Sequence, residues 1–145
     1  MIRVEHETRI AASRERIWEI LTDHEGMPRW FPAREVIRRR PGTPDPNGVD
    51  AVRVVRASGL AIEERVTVFE PGKRMEYVVT GGVPLRDHRG VVVLEASDSD
   101  DESSVVRWSV ELRPLIPGTG WILRRATDGL IEDGLDGLRR FAEAR

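Results

Sequence analysis

Apolar and charged positions alternate through Ile2-Arg3-Val4-Glu5-His6-Glu7 with the two-residue period of a half-buried strand, predicted over residues 2–10. Ser13 then supplies a helix N-cap with Glu15 in the first turn, and Ile17, Trp18, Ile20 and Leu21 form the apolar side. Gly26 and Pro28 end that helix near Asp23-His24, and a short second helix or turn carries Trp30 and Phe31 up to Pro32. A strand over 34–40 leads into the Pro/Gly-rich loop 41–48. Further strands are expected at about 50–57, 60–70, 73–80, 87–96 and 104–113, with the acidic stretch 97–104 as a solvated hairpin loop. That stretch lacks the glycine and terminal glutamate of an EF-hand loop. Residues 119–144 read as one long helix, with Leu123, Ala126, Leu130, Gly134, Gly137, Leu138 and Phe141 on one stripe.

Two turns fix which side chains share a face. If Ser58-Gly59 is a two-residue turn, Arg53 sits opposite Glu64. The turn at Pro71-Gly72 sets Glu70 against Lys73, Val66 against Tyr77 and Glu64 against Val79. Met75, Tyr77 and Val79 then share the face of Glu64, while Arg74 and Glu76 point the other way. Arg53 and Glu64 thus lie among Ala51, Val55, Ile62, Val66 and Val68. A charged pair amid aliphatics needs a reason, because desolvation offsets its Coulomb gain. It points to the interior of a pocket.

A one-sided antiparallel sheet must be covered, and the final helix is the only element long enough to do it. The expected fold class is therefore α+β, a curved sheet gripping a helix with a cleft between them. A chain of 145 residues makes a single domain, 1–145. Its net charge of −2 gives no general attraction to nucleic acid, and the absence of cysteine removes thiolate chemistry and Cys-based metal sites. No apolar run approaches the ~20 residues of a membrane span, and the N-terminus has no signal-peptide core, so no membrane insertion and a cytoplasmic location are expected.

Several segments together resemble the START-like (SRPBCC, helix-grip) superfamily, in its bacterial polyketide cyclase/dehydrase and lipid-transport branch. They are Ile10-Ala11-Ala12-Ser13 leading into Ile17-Trp18-Glu19-Ile20-Leu21-Thr22-Asp23, and Pro28-Arg29-Trp30-Phe31-Pro32. Downstream come Glu64-Arg65-Val66, Pro71-Gly72-Lys73-Arg74-Met75-Glu76-Tyr77 and Val105-Val106-Arg107-Trp108. The resemblance covers nearly the whole chain. Ala12-Ser13 stands where the family often has Ala-Pro, and Ser103-Ser104 where it often has Gly-Thr; both differences concern turns. The resemblance implies the helix-grip fold and a hydrophobic cavity for lipids, polyketides or other apolar molecules.

The expected ligand-binding residues are Trp30 near the mouth, Arg53, Glu64, Tyr77, Trp108 and Gly134, with Val55, Ile62, Val66, Met75, Val79 and Val106 completing the inward set. Gly134 and Gly137 indent the helix stripe, either for close approach to the sheet or for a ligand. A ~300 Å³ void would cost roughly 7 kcal/mol if empty, so it should be wet, filled or kept for a ligand. Arginine cannot act as a base, and no phosphate loop, nucleophile elbow or metal-ligand cluster is present. The catalytic residues are unassigned, and no metal or cofactor is expected. His88 belongs at the rim, and His6 and His24 on the surface.

The leading functional reading is a carrier or sensor of a hydrophobic small molecule, as monomer or homodimer, without nucleic-acid binding. The alternative is a polyketide cyclase, aromatase or dehydratase acting in the same cavity, where shape alone holds a reactive chain in near-attack geometry. A third is a protein-interaction module, with Arg38-Arg39-Arg40 on an exposed strand.

Overall fold

The computed structural model describes residues 1–97 and 100–144. Strand β1 (Ile2–Ile10) is followed by α1 (Arg14–Thr22) and a short 3₁₀ helix (His24–Arg29). Next come β2 (Glu35–Arg40), β3 (Val52–Ala57), β4 (Leu60–Glu70), β5 (Arg74–Gly81), β6 (Leu85–Ser97) and β7 (Asp100–Pro114). The long helix α2 (Gly120–Glu143) closes the chain. The seven strands form one antiparallel sheet in the order β1-β7-β6-β5-β4-β3-β2, with α2 laid across its inner face. This is the expected α+β helix-grip architecture.

Local chemistry explains the boundaries. The Ser13 hydroxyl accepts from the Arg16 N–H at 3.2 Å, capping α1 as its position predicts. Trp30 and Phe31 follow the 3₁₀ helix rather than lying within it. At the far end, the Arg16 guanidinium donates to the Ala142 and Ala144 carbonyls, at 2.9 and 3.1 Å, satisfying the last turn of α2.

The β3–β4 register agrees with the turn arithmetic: Arg53 pairs with Glu64 and Val55 with Ile62. Ala51, Val55 and Ala57 join the main core, whereas Val52 and Val54 are buried outside it. The β4–β5 register holds at Val66–Tyr77 and Glu64–Val79, but Glu70 faces Arg74, not Lys73. An irregularity between Val66 and Val68 absorbs the extra residue, a bulge that turn arithmetic cannot see.

The acidic stretch expected as a loop is mostly strand, since β6 reaches Ser97, β7 begins at Asp100, and Ala96 pairs with Ser104. Only the tip of that expected loop, Asp98 and Ser99, lies outside the described residues. On α2 the buried side is Ile131, Gly134, Leu135, Leu138 and Ala142. The apolar stripe is therefore broader than the one expected from the sequence.

Candidate functional site

A cavity of about 160 Å³ lies between the inner sheet face and the first half of α2. Its floor is Arg53, Val55, Ile62, Glu64, Tyr77, Val79 and Trp108, and its roof is Leu123, Ala126, Thr127, Leu130 and Ile131. Ser58 and Leu60 in the β3–β4 turn and Ala126 on the helix line it and are exposed, which places an opening between turn and helix. If empty, a void of this size would cost ~4 kcal/mol, an upper bound because water enters.

Arg53, 3% exposed in its side chain, donates from Nε to Glu64 Oε1 at 2.8 Å. Its Nη1 lies 3.1 Å from His24 Nδ1. A guanidinium is always a donor, so Nδ1 must accept and the ring proton sits on Nε2, which donates to the Asn47 carbonyl at 3.0 Å. Both imidazole nitrogens of His24 are thereby used. Burial, reinforced by the Arg53 charge, pushes the His24 pKa down to about 3, so the ring stays neutral. The guanidinium also stacks over the Tyr77 ring, 5.2 Å from its centroid. Among the described residues, the second Glu64 oxygen has no partner.

Tyr77 is buried, and its hydroxyl accepts from Trp108 Nε1 at 2.9 Å. Its own O–H proton has no acceptor among the described residues. Burial, with Glu64 nearby, raises the phenol pKa and keeps that proton in place. The ring lies across Gly90, where a Cβ would collide with it, so glycine there makes room for the tyrosine.

Beyond the Tyr77–Gly90 pair the β5–β6 ladder ends, and β6 bulges between Arg86 and Arg89, with Asp87 at a φ of 53°. The bulge turns His88 into the cavity wall, where Nδ1 accepts from the Val79 N–H at 3.1 Å. The imidazole replaces a missing backbone acceptor. Burial, aided by the Arg53 charge, pushes the His88 pKa down to about 4. A neutral ring accepting at Nδ1 carries its proton on Nε2 and is a donor there.

The structure therefore brings together Arg53, Glu64, Tyr77 and Trp108 and leaves out two of the expected set. Gly134 does not line the cavity: a Cβ there would meet the Phe31 ring at 2.8 and 2.9 Å and Trp108 at 3.3 Å. At Gly137 a Cβ would strike the Trp30 carbonyl oxygen. Both glycines serve close approach of the helix. Trp30 is buried against Phe31 and Trp108, away from the cavity, and its Nε1–H has no partner among the described residues. Val66, Met75 and Val106 are core.

Of the two histidines expected on the surface, His6 stays there and His24 does not. His24 is buried beneath Arg53, and His6 on β1 lies 2.7 Å from Asp128 on α2, an ion pair when protonated. Glu132 completes a surface group with them whose ligand-type atoms lie within 4.8 Å of one another. The one signal for His24 in the sequence is that a buried guanidinium has five donors and Glu64 cannot occupy them all.

Chemically, the site offers donors at Tyr77 and His88 and one free carboxylate oxygen, set in an apolar wall. Such a site orients a mostly hydrophobic molecule through one or two oxygens.

A family model described as polyketide cyclase / dehydrase and lipid transport matches residues 1–143. No curated protein matches the sequence. Among solved structures, a START superfamily protein from Mycobacterium smegmatis is 14% identical with a TM-score of 0.84, covering 99% of this chain and 98% of its own. XoxI from Bacillus cereus is 20% identical with a TM-score of 0.79, covering 98% of this chain and 96% of its own. The di-domain ARO/CYC BexL of the BE-7585A biosynthetic pathway is 19% identical with a TM-score of 0.77, over 97% of this chain and 46% of its own. These likenesses establish a shared fold.

Proposed function

Because this chain belongs to the polyketide cyclase / dehydrase and lipid transport family, we propose that it carries or senses a small hydrophobic molecule bearing an acceptor oxygen. The carrying observation is the buried Tyr77 hydroxyl, which accepts from Trp108 and keeps its own proton unspent in an apolar wall. A donor in such a place is stabilised by a ligand oxygen that binds it. The volume supports a compound about the size of one aromatic ring, since a cavity of about 150 Å³ takes benzene. Longer acyl chains or fused rings require the first half of α2 to move outward.

Holding fits better than transformation because the imidazole lone pairs are already engaged: His24 Nδ1 accepts from Arg53 and His88 Nδ1 from Val79. Native mass spectrometry of gently purified protein, followed by titration with aryl ketones, fatty acids and aromatic polyketides, tests the proposal. A bound apolar molecule, or saturable binding of one class, is expected. If nothing binds and side chains fill the cavity in a crystal structure, the proposal fails.

One observation favours a second reading, a cyclase or dehydratase. The free Glu64 oxygen and the Tyr77 hydroxyl share one wall, the placement of a proton acceptor beside a proton donor. Product profiles of wild type against folded Glu64→Gln and Tyr77→Phe decide it. Unchanged products remove both residues from any reaction.

A further inference from the structure

Four of the seven large apolar residues exposed among the described residues fall within one eight-residue stretch. They are Leu115 (57% exposed), Ile116 (52%), Trp121 (68%) and Ile122 (49%). Single exposed apolar side chains are ordinary, but a cluster marks a contact surface. These four form the tip between β7 and α2, where Gly118 turns the chain at a φ of 85°. The tip adjoins the cavity: the Leu115 N–H donates to the Pro84 carbonyl at 3.2 Å, and the next residue, Leu85, lines the cavity, as does Leu123 beside Ile122.

The segment that carries the tip is basic. Residues 113–127 contain three arginines and no acid, in a chain with 25 acidic residues. Arg113 faces Arg86 across the β6–β7 ladder, a like-charge pair that costs stability unless an anion compensates it. Asp87 approaches Arg113 at 3.6 Å, and among the described residues Arg124 reaches only the Arg3 carbonyl at 3.4 Å. Arg86 and Arg125 have no partner among the described residues.

We propose that this tip docks on an anionic lipid surface, with the four apolar side chains among the headgroups and the arginines on the phosphates. A bilayer interface supplies apolar depth and negative charge in one plane, and tryptophan favours that boundary. A second copy of the chain fits worse, because a two-fold contact would set the arginines against themselves. Docking is peripheral, since no helix among the described residues is long and apolar enough to cross a membrane. It would turn the cavity toward the bilayer, the source of an apolar ligand.

Trp121 is exposed while Trp18, Trp30 and Trp108 are buried, so a shift of intrinsic fluorescence on docking reports the tip. The probes are vesicles of phosphatidylcholine alone and of phosphatidylcholine with about a third phosphatidylglycerol. A blue shift and co-sedimentation are expected with the anionic vesicles and are weakened by salt. Arg124→Glu with Arg125→Glu should lower partitioning at least about tenfold, and Ile116→Ser with Ile122→Ser should remove the blue shift. None of these positions lines the cavity, so binding of a cavity ligand should persist in both variants, and each proposal fails separately. Docking is overturned if wild type ignores anionic vesicles, binds neutral ones equally, or is unaffected by the charge reversals. A concentration-dependent blue shift without vesicles, with a dimer in sedimentation, would instead assign the tip to a second copy.

Discussion

The two halves of α2 meet different neighbours. From Gly134 onward the helix is pressed onto Trp30, Phe31 and Trp108, with Gly134 and Gly137 giving up their side chains for contact and Arg16 tying down the last carbonyls. Before Ile131 the same helix roofs a cavity and ends in an exposed apolar tip. Among the described residues its polar ties to the sheet there are His6–Asp128 and the long Arg124–Arg3 contact. One continuous helix is thus an anchor at one end and a cover at the other. A binding cavity needs both: rigid placement of its wall and one side free to admit a ligand.

Arg53, beneath the cover, should be the most sensitive single position. Arg53→Met leaves Glu64 and the His24 Nδ1 unpaired in the interior and should cost ~3–5 kcal/mol in urea unfolding. A loss under ~1 kcal/mol would mean that the pair behaves like a surface salt bridge. Within the anchor, Gly137→Ala forces a methyl against the Trp30 carbonyl and should cost ~1–3 kcal/mol or more.

Acid should loosen both sides of the cavity floor. His24 and His88 have folded pKa values of about 3 and about 4, below the ordinary 6.5, so the unfolded chain binds more protons between those limits. Stability is full above about 6.5 and falls as the pH drops toward the folded values; from pH 7 to pH 5.5 the loss should be roughly 2–3 kcal/mol for the two together. Replacing His88 by Asn should flatten about half of that slope, measured as unfolding midpoints across the pH series.

The smallest effect has the opposite sign. Gly129, on the cover, has nothing within 4 Å of an added Cβ, so Gly129→Ala should gain ~0.5–1 kcal/mol of helix stability. Stabilisation at 129 and destabilisation at 137 from the same substitution would be the clearest sign that the halves differ. Equal effects would erase the distinction.

Where period and turn chemistry act locally, the sequence is legible. Ser58-Gly59 set the pairing of Arg53 with Glu64, and Ser13 marked the start of α1. Legibility ends where one residue depends on a distant loop or an extra residue in a strand. His24 reads as surface because its partners, Asn47 and Arg53, come from a loop and a strand that no periodicity places beside it. His88 turns into the cavity wall through a bulge at a non-glycine residue with positive φ, which propensity does not foresee. Trp30 and Gly134 were expected at a ligand because an aromatic and an indentation suit one. They instead lie in the same close-packed region around Phe31 and Trp108.

We propose that the cavity under the first half of α2 holds an apolar molecule through the Tyr77 hydroxyl. Isothermal titration of wild type and Tyr77→Phe with a series of single-ring aryl ketones is the decisive experiment. Saturable one-to-one binding to wild type is expected, weakened about three- to tenfold in Tyr77→Phe by loss of one hydrogen bond. Binding of equal strength to the two folded proteins, or binding that Leu130→Trp in the cavity roof leaves untouched, would contradict it.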